Sequence, residues 1–137
     1  MSAVHIGRKA IRWLPVLLWM AAVFYLSAQP DLPHHPEAMM DLIIKKLGHM
    51  VEYGILAGLA LWALRGGGQA TTTGHLLCAF AIAGLYAISD EVHQYFVPGR
   101  TPRPIDVGFD VLGASLALLV TGSVLRAREV REVLPRR

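Results

Sequence analysis

Four apolar runs, each about long enough to cross a bilayer, follow one another along this chain with breaker-rich segments between them. They cover residues 11–28, 47–64, 75–96 and 105–125. A helix rising about 1.5 Å per residue needs roughly 20 residues to cross a hydrocarbon core of about 30 Å. Hydrocarbon offers no partner to a backbone amide or carbonyl, so an apolar run of this length satisfies its own backbone by becoming a helix. The connectors agree with that reading. Pro30, Pro33 and Pro36 punctuate the first, Gly66 to Gly68 and Thr71 to Thr73 the second, and Pro98-Gly99 through Pro104 the third. No internal repeat and no separate soluble domain are visible. The chain is predicted to be one domain, residues 1–137, of all-α integral membrane class with four transmembrane helices.

Composition supports the membrane over the alternatives. Hydrophobic residues make up 54% of the chain and charged ones 17%, with a mean hydropathy of +0.45, too apolar for a soluble domain of this size. A net charge of +3 and a pI near 9.4 could suggest nucleic acid, but the basic residues sit at the ends of the runs and at the C-terminus. No nucleic-acid partner is expected. The single cysteine, Cys78, lies inside an apolar run and has no second cysteine to bond. It reads as a small packing residue.

The lysines and arginines set an orientation. With a cytoplasmic N-terminus, Arg8, Lys9, Arg12, Arg65, Arg126, Arg128, Arg131, Arg136 and Arg137 fall inside, nine in all, against four outside, Lys45, Lys46, Arg100 and Arg103. Both termini are thus expected on the cytoplasmic side. Of the acids, only Glu129 and Glu132 fall inside, whereas Asp31, Glu37, Asp41, Glu52, Asp90, Glu91, Asp106 and Asp110 fall at or near the outer face. A second reading of the first run is a cleaved signal peptide ending Leu26-Ser27-Ala28, although leucine is a poor residue two places before the end of such a segment. Pro15 is placed in the first turns of the first helix, where a missing amide costs least. The segment from Ala38 to Lys46 is expected to lie along the membrane surface, the alternative being an outward extension of the second helix.

Helical spacing aligns the polar side chains. His49, Glu52, Tyr53 and Leu56 recur at i, i+3, i+4 and i+7, with Lys46 one turn further out. Asp90, His93 and Gln94 share a face of the third run with Glu91 one step around, and Asp106, Asp110 and Gly113 share one on the fourth. Three helices are thereby expected to bring acid-bearing stripes to one depth and form a polar cluster at the outer membrane face. Ser27 and Gln29 end the first run at that level. Carboxylates held together in an apolar setting need a cation, which Lys46, Arg100, a histidine, a metal ion or a basic ligand can supply.

The patterns Ser27-x-Gln29-Pro30, Lys46-x-x-His49-x-x-Glu52-Tyr53, Asp90-Glu91-x-His93-Gln94-x-Phe96-x-Pro98-Gly99-Arg100 and Asp106-x-x-x-Asp110-x-x-Gly113 together resemble the signature of the VanZ-like family. The resemblance covers nearly the whole chain, and the order of the pieces on successive helices makes it specific. Asp110 stands where many members carry asparagine. The resemblance implies a small multi-pass protein of the bacterial cytoplasmic membrane, and the family's name comes from a member associated with teicoplanin resistance. It brings no established reaction.

Each residue also has a structural reading. His49 and Glu52 could be a hydrogen-bonded pair fixing the second helix against the third, and Arg100 a lipid-phosphate anchor or the ion-pair partner of Asp90 or Asp106. Asp106 can be a helix cap, whereas Asp110 lies a turn too deep for that. His34 and His35 read as a solvated loop, His5 and His75 receive no role, and Trp13, Trp19, Tyr25 and Trp62 read as apolar filling or interface anchors.

Two functions fit. In the favoured one, the chain binds or handles an envelope lipid intermediate or a glycopeptide-like ligand at the outer leaflet, without resident cofactor, as a membrane-lipid partner and potential homo-oligomer. Its ligand-binding set is Ser27, Gln29, Lys46, His49, Glu52, Tyr53, Asp90, Glu91, His93, Gln94, Arg100, Asp106 and Asp110. In the alternative it is a membrane-embedded enzyme acting on a lipid head group, with Glu52, Asp90, Glu91 and His93 as acid, base or, with His49 and Asp106, ligands of a divalent metal. The chain carries no nucleophile elbow or metalloprotease helix, which weighs against catalysis. A proton-coupled transporter fits less well, because the inner halves of the runs carry almost no ionisable residue.

Overall fold

In a computed structural model that describes residues 3–29, 38–66 and 69–133, the chain forms four α-helices: α1 (Ala3–Ser27), α2 (Ala38–Leu64), α3 (Thr73–Tyr95) and α4 (Pro104–Val133). All four are long and apolar enough to cross a membrane. His34 and His35, with Asp31 and Glu37, lie outside the described residues, as do Arg136 and Arg137.

Three helix limits differ from the sequence expectation. α2 starts at Ala38 and not near Leu47, so the segment through Lys46 continues the helix. Nothing between Ala38 and Leu47 breaks a helix, and the two lysines can extend their stems past apolar surface while keeping their ammonium groups elsewhere. α4 runs on to Val133 through Arg126-Ala127-Arg128-Glu129, residues of good helix propensity. α1 begins at Ala3, so Pro15 sits in the helix interior and not in the opening turns. Membrane helices tolerate this because neighbouring groups can satisfy the freed carbonyl.

Small residues allow α2, α3 and α4 to approach closely. Lipid is as apolar as leucine, so helices in a membrane associate through close packing and polar contacts. α3 buries Ala79, Ala83 and Ala87 at four-residue spacing, and the same face continues into Asp90 and Gln94. On α4, Gly113 lies against the backbone of Met50 with no room for a β-carbon, and a β-carbon on Gly54 of α2 would stand 3.3 Å from the Gly113 carbonyl oxygen. Tyr53, Leu56, Ala57, Ala60 and Leu61 of α2 are buried at the centre, against Val16 and Val23 of α1 and Ala114 and Leu118 of α4. Most of the remaining large apolar side chains are exposed, as suits helices whose outer surface meets lipid.

The turns are built from the breakers. Gly66 closes α2 in the left-handed region at φ 61°, and Thr72 caps α3 by accepting from the His75 amide while the His75 ring takes the Thr72 amide. His75, given no role from sequence, is therefore half of a capping box. Between α3 and α4 the Arg100 amide returns to the Val97 carbonyl at 3.2 Å across Pro98 and Gly99, the latter at φ 81°. Proline first and a left-handed glycine second define a type II turn, which the sequence requires at this point.

Candidate functional site

The end of the bundle that carries the α1–α2 and α3–α4 connections holds the polar side chains singled out above. Two rungs join α2 to α4. Lys46 forms an ion pair with Asp106 and lies 5.2 Å from the centroid of the Phe109 ring, and one turn deeper His49 Nδ1 stands 3.0 Å from Asp110 Oδ1. The i, i+3 spacing on α2 meets the i, i+4 spacing on α4, so each cation or imidazole finds its own carboxylate. His49 is thus paired with the fourth helix, and Asp106 has Lys46 as its partner. Asp110 is buried, and a pair at that depth is costly to break because the survivor stays in apolar surroundings.

Arg100 bridges to the end of α1. Its Nε donates to the Gln29 carbonyl at 2.8 Å and an Nη to the Leu26 carbonyl at 3.0 Å. These carbonyls belong to the C-terminal end of a helix, where orphaned acceptors and the negative pole of the helix dipole favour a cation. The Gln29 side-chain amide donates to the Tyr25 carbonyl at 3.2 Å, adding to the same cap. Arg100 also lies within electrostatic reach of Glu52.

The remaining residues surround the α1–α2–α3 junction. Asp90 Oδ2 accepts from Gln94 Nε2 at 3.0 Å, and both side chains are buried. His93 stacks on Phe24 with centroids 4.1 Å apart. Glu52 lies within electrostatic reach of His49, Asp90 and Asp110, and Glu91 of His49, Asp90 and Asp110. Tyr53 has Asp90, Asp110, Glu52 and Tyr86 in range. Among the described residues, five buried polar atoms at this end have no hydrogen-bond partner: Ser27 Oγ, Tyr53 Oη, Asp90 Oδ1, Glu91 Oε1 and His93 Nε2. An unpaired buried polar group costs about 1–3 kcal/mol, and native proteins leave few. Among the described residues no three His, Cys, Asp or Glu side chains converge as metal ligands.

Sequence reasoning missed two aromatic donors. Trp19 Nε1 donates to the Glu52 carbonyl at 2.9 Å and Tyr86 Oη to the Met20 carbonyl at 2.6 Å, tying α1 to α2 and α3 beneath the acids. The i, i+4 spacing of Tyr86 and Asp90 was the available signal. At the opposite end Glu129 accepts from Arg65 Nη2 at 2.8 Å, from Thr71 Oγ1 at 2.8 Å and from the Thr71 amide at 3.0 Å, a network read from sequence only as topology charges. A lipid-facing groove of about 320 Å³ also lies toward that end, between α3 and α4, lined by Leu76, Phe80, Leu118, Leu119 and Arg126.

Four membrane-length helices packed through small residues, with ionisable side chains concentrated at one end, define a small multi-pass membrane protein. The family model described as VanZ/LLP1 matches residues 12–125. The chain belongs to that family. Comparisons with curated proteins and with solved structures gave no match.

Proposed function

We propose that the chain sits in the bacterial cytoplasmic membrane with both termini inside and binds the head group of an envelope lipid at its outer end. The unpartnered atoms of Ser27, Tyr53, Asp90, Glu91 and His93 carry this reading. They are buried, they sit at one end of three helices, and a head group offers the hydrogen bonds that neighbouring side chains do not. The excess of arginine and lysine at the opposite end supports the orientation. Lys46 and Arg100 serve in this reading to hold α4 and α1 in place around the head group. Handling of a glycopeptide-type amphiphile, and with it tolerance of such antibiotics, is a use to which the same site could be put.

The test is to purify wild type, Tyr53→Phe and Asp90→Asn from the same membranes and compare co-purifying lipids. Wild type is expected to retain a lipid in near-stoichiometric amount that the folded, inserted variants lose. Identical lipid content in all three would remove the basis of the reading. Conversion of the retained lipid by wild type, abolished in Asp90→Asn, would replace binding by catalysis at the same residues.

A further inference from the structure

We infer that the head group taken by this end of the bundle presents a primary ammonium, because Asp90 and Glu91 each keep a buried carboxylate oxygen that no described residue pairs. The inference rests on the lipid-binding reading above and names the chemistry of its ligand.

Charge comes first. Among the described residues, Glu52 and Glu91 each lie in electrostatic range of Asp90 and Asp110, which also lie in range of one another. The allocation of the cations sharpens this. Lys46 is paired with Asp106, and Arg100 holds the carbonyl end of α1 while lying in range of Glu52. His49 faces Asp110. Glu91 accepts from the Arg103 main-chain amide and lies in range of Lys46, and Asp90 accepts from Gln94, yet each keeps one buried oxygen without a hydrogen-bond partner.

Geometry narrows the cation. Asp90 is 3% exposed and Tyr53 1%, so the unpaired Asp90 oxygen and the unpaired tyrosine hydroxyl lie inside the protein. Asp90 and Glu91 are successive residues of a helix and leave it about 100° apart, so their oxygens suit separate donors better than one metal centre. An ammonium group is a compact point charge with three diverging N–H donors and no acceptor. One donor to Asp90, one to Glu91 and one to the Tyr53 oxygen would satisfy three of the five unpartnered atoms. A trimethylammonium has the same charge but no donor, and a phosphate or glycerol head group supplies no cation. The ligand class is therefore an aminolipid whose amine is unsubstituted.

The experiment is native mass spectrometry of the purified chain with phosphatidylethanolamine, phosphatidylcholine and phosphatidylglycerol of identical acyl chains. Phosphatidylethanolamine is expected to be retained at about tenfold higher occupancy than phosphatidylcholine, the order expected when a charged hydrogen-bonding set is lost. Glu91→Gln and Asp90→Asn should each collapse that preference. The wild-type comparison needs no variant and so does not depend on how the variants fold. Equal retention of the two, or preference for phosphatidylglycerol, overturns the ammonium inference while lipid binding stands provided Tyr53→Phe still lowers it. No response of any lipid to any of the three substitutions overturns both.

Discussion

Gly113 of α4 packs directly on the main chain of Met50 in α2, with no space between the two helices for a methyl group. Gly113→Ala must therefore push the helices apart or bend one of them. Overpacking of this kind costs about 1–3 kcal/mol. Gly58 of the same bundle has nothing near its missing β-carbon, so Gly58→Ala is the matched control. Thermal unfolding in detergent should show a clear loss for Gly113→Ala and none for Gly58→Ala; equal behaviour would contradict the close crossing.

The His49–Asp110 rung gives a second prediction. Asp110→Ala leaves a half-buried imidazole without its partner and is expected to cost about 1–3 kcal/mol. Asp110→Asn keeps an oxygen at the same place to accept from the ring, so it should cost markedly less. Unfolding in mixed micelles, read for both variants against wild type, checks the order; the reverse order would mean that charge and not the hydrogen bond carries the rung.

Arg100 forks between two carbonyls, a geometry that a guanidinium can meet and an ammonium on a flexible stem meets poorly. Arg100→Lys and Arg100→Ala should therefore both loosen the last turn of α1. Hydrogen exchange over residues 24–29 is expected to speed up, while α3 beyond its final turn stays protected. Unchanged exchange in that segment would show that the fork adds nothing.

Glu129 collects three donors from Arg65 and Thr71 and so fastens the α2–α3 connection to α4. Glu129→Ala removes all three at once. Exchange of the Thr71 amide should rise by at least about fivefold, the effect of losing roughly 1 kcal/mol of hydrogen bonding. Thr71→Val, which keeps the amide contact, should have a smaller effect.

The orientation can be read directly. In a Cys78→Ser background, Gln69→Cys and Thr101→Cys place single thiols at exposed positions on opposite ends of the bundle. A membrane-impermeant maleimide added to intact cells should label position 101 and spare position 69. The opposite pattern would invert the assignment of the two ends.

The four helices were legible because hydrophobic length and breaker residues act locally. The start of α2 was not, since Lys45 and Lys46 look like a surface boundary until the partner of Lys46 on α4 is known. The faces bearing His49, Asp90 and Asp110 could be read from helical spacing, but spacing fixes neither the rotation of a helix about its axis nor its depth. Two helices decide together whether Lys46 meets Asp106 or Glu91. Arg100 was harder still, because its partners are main-chain carbonyls, which every residue possesses and no side-chain pattern marks. The glycine contact at Met50 has the same character: what Gly113 fits is a backbone.

The tie from Arg100 to Leu26 and Gln29 also orders events in time. The residues it joins are more than seventy positions apart, so the opening helix reaches the bilayer well before the arginine that secures its end has been synthesised. Until the hairpin of the last two helices has emerged, that end of α1 has only water or lipid head groups to satisfy its carbonyls. Assembly is consequently closed from the C-terminal half backwards, and a chain halted before Arg100 carries a first helix that is inserted but not yet fastened.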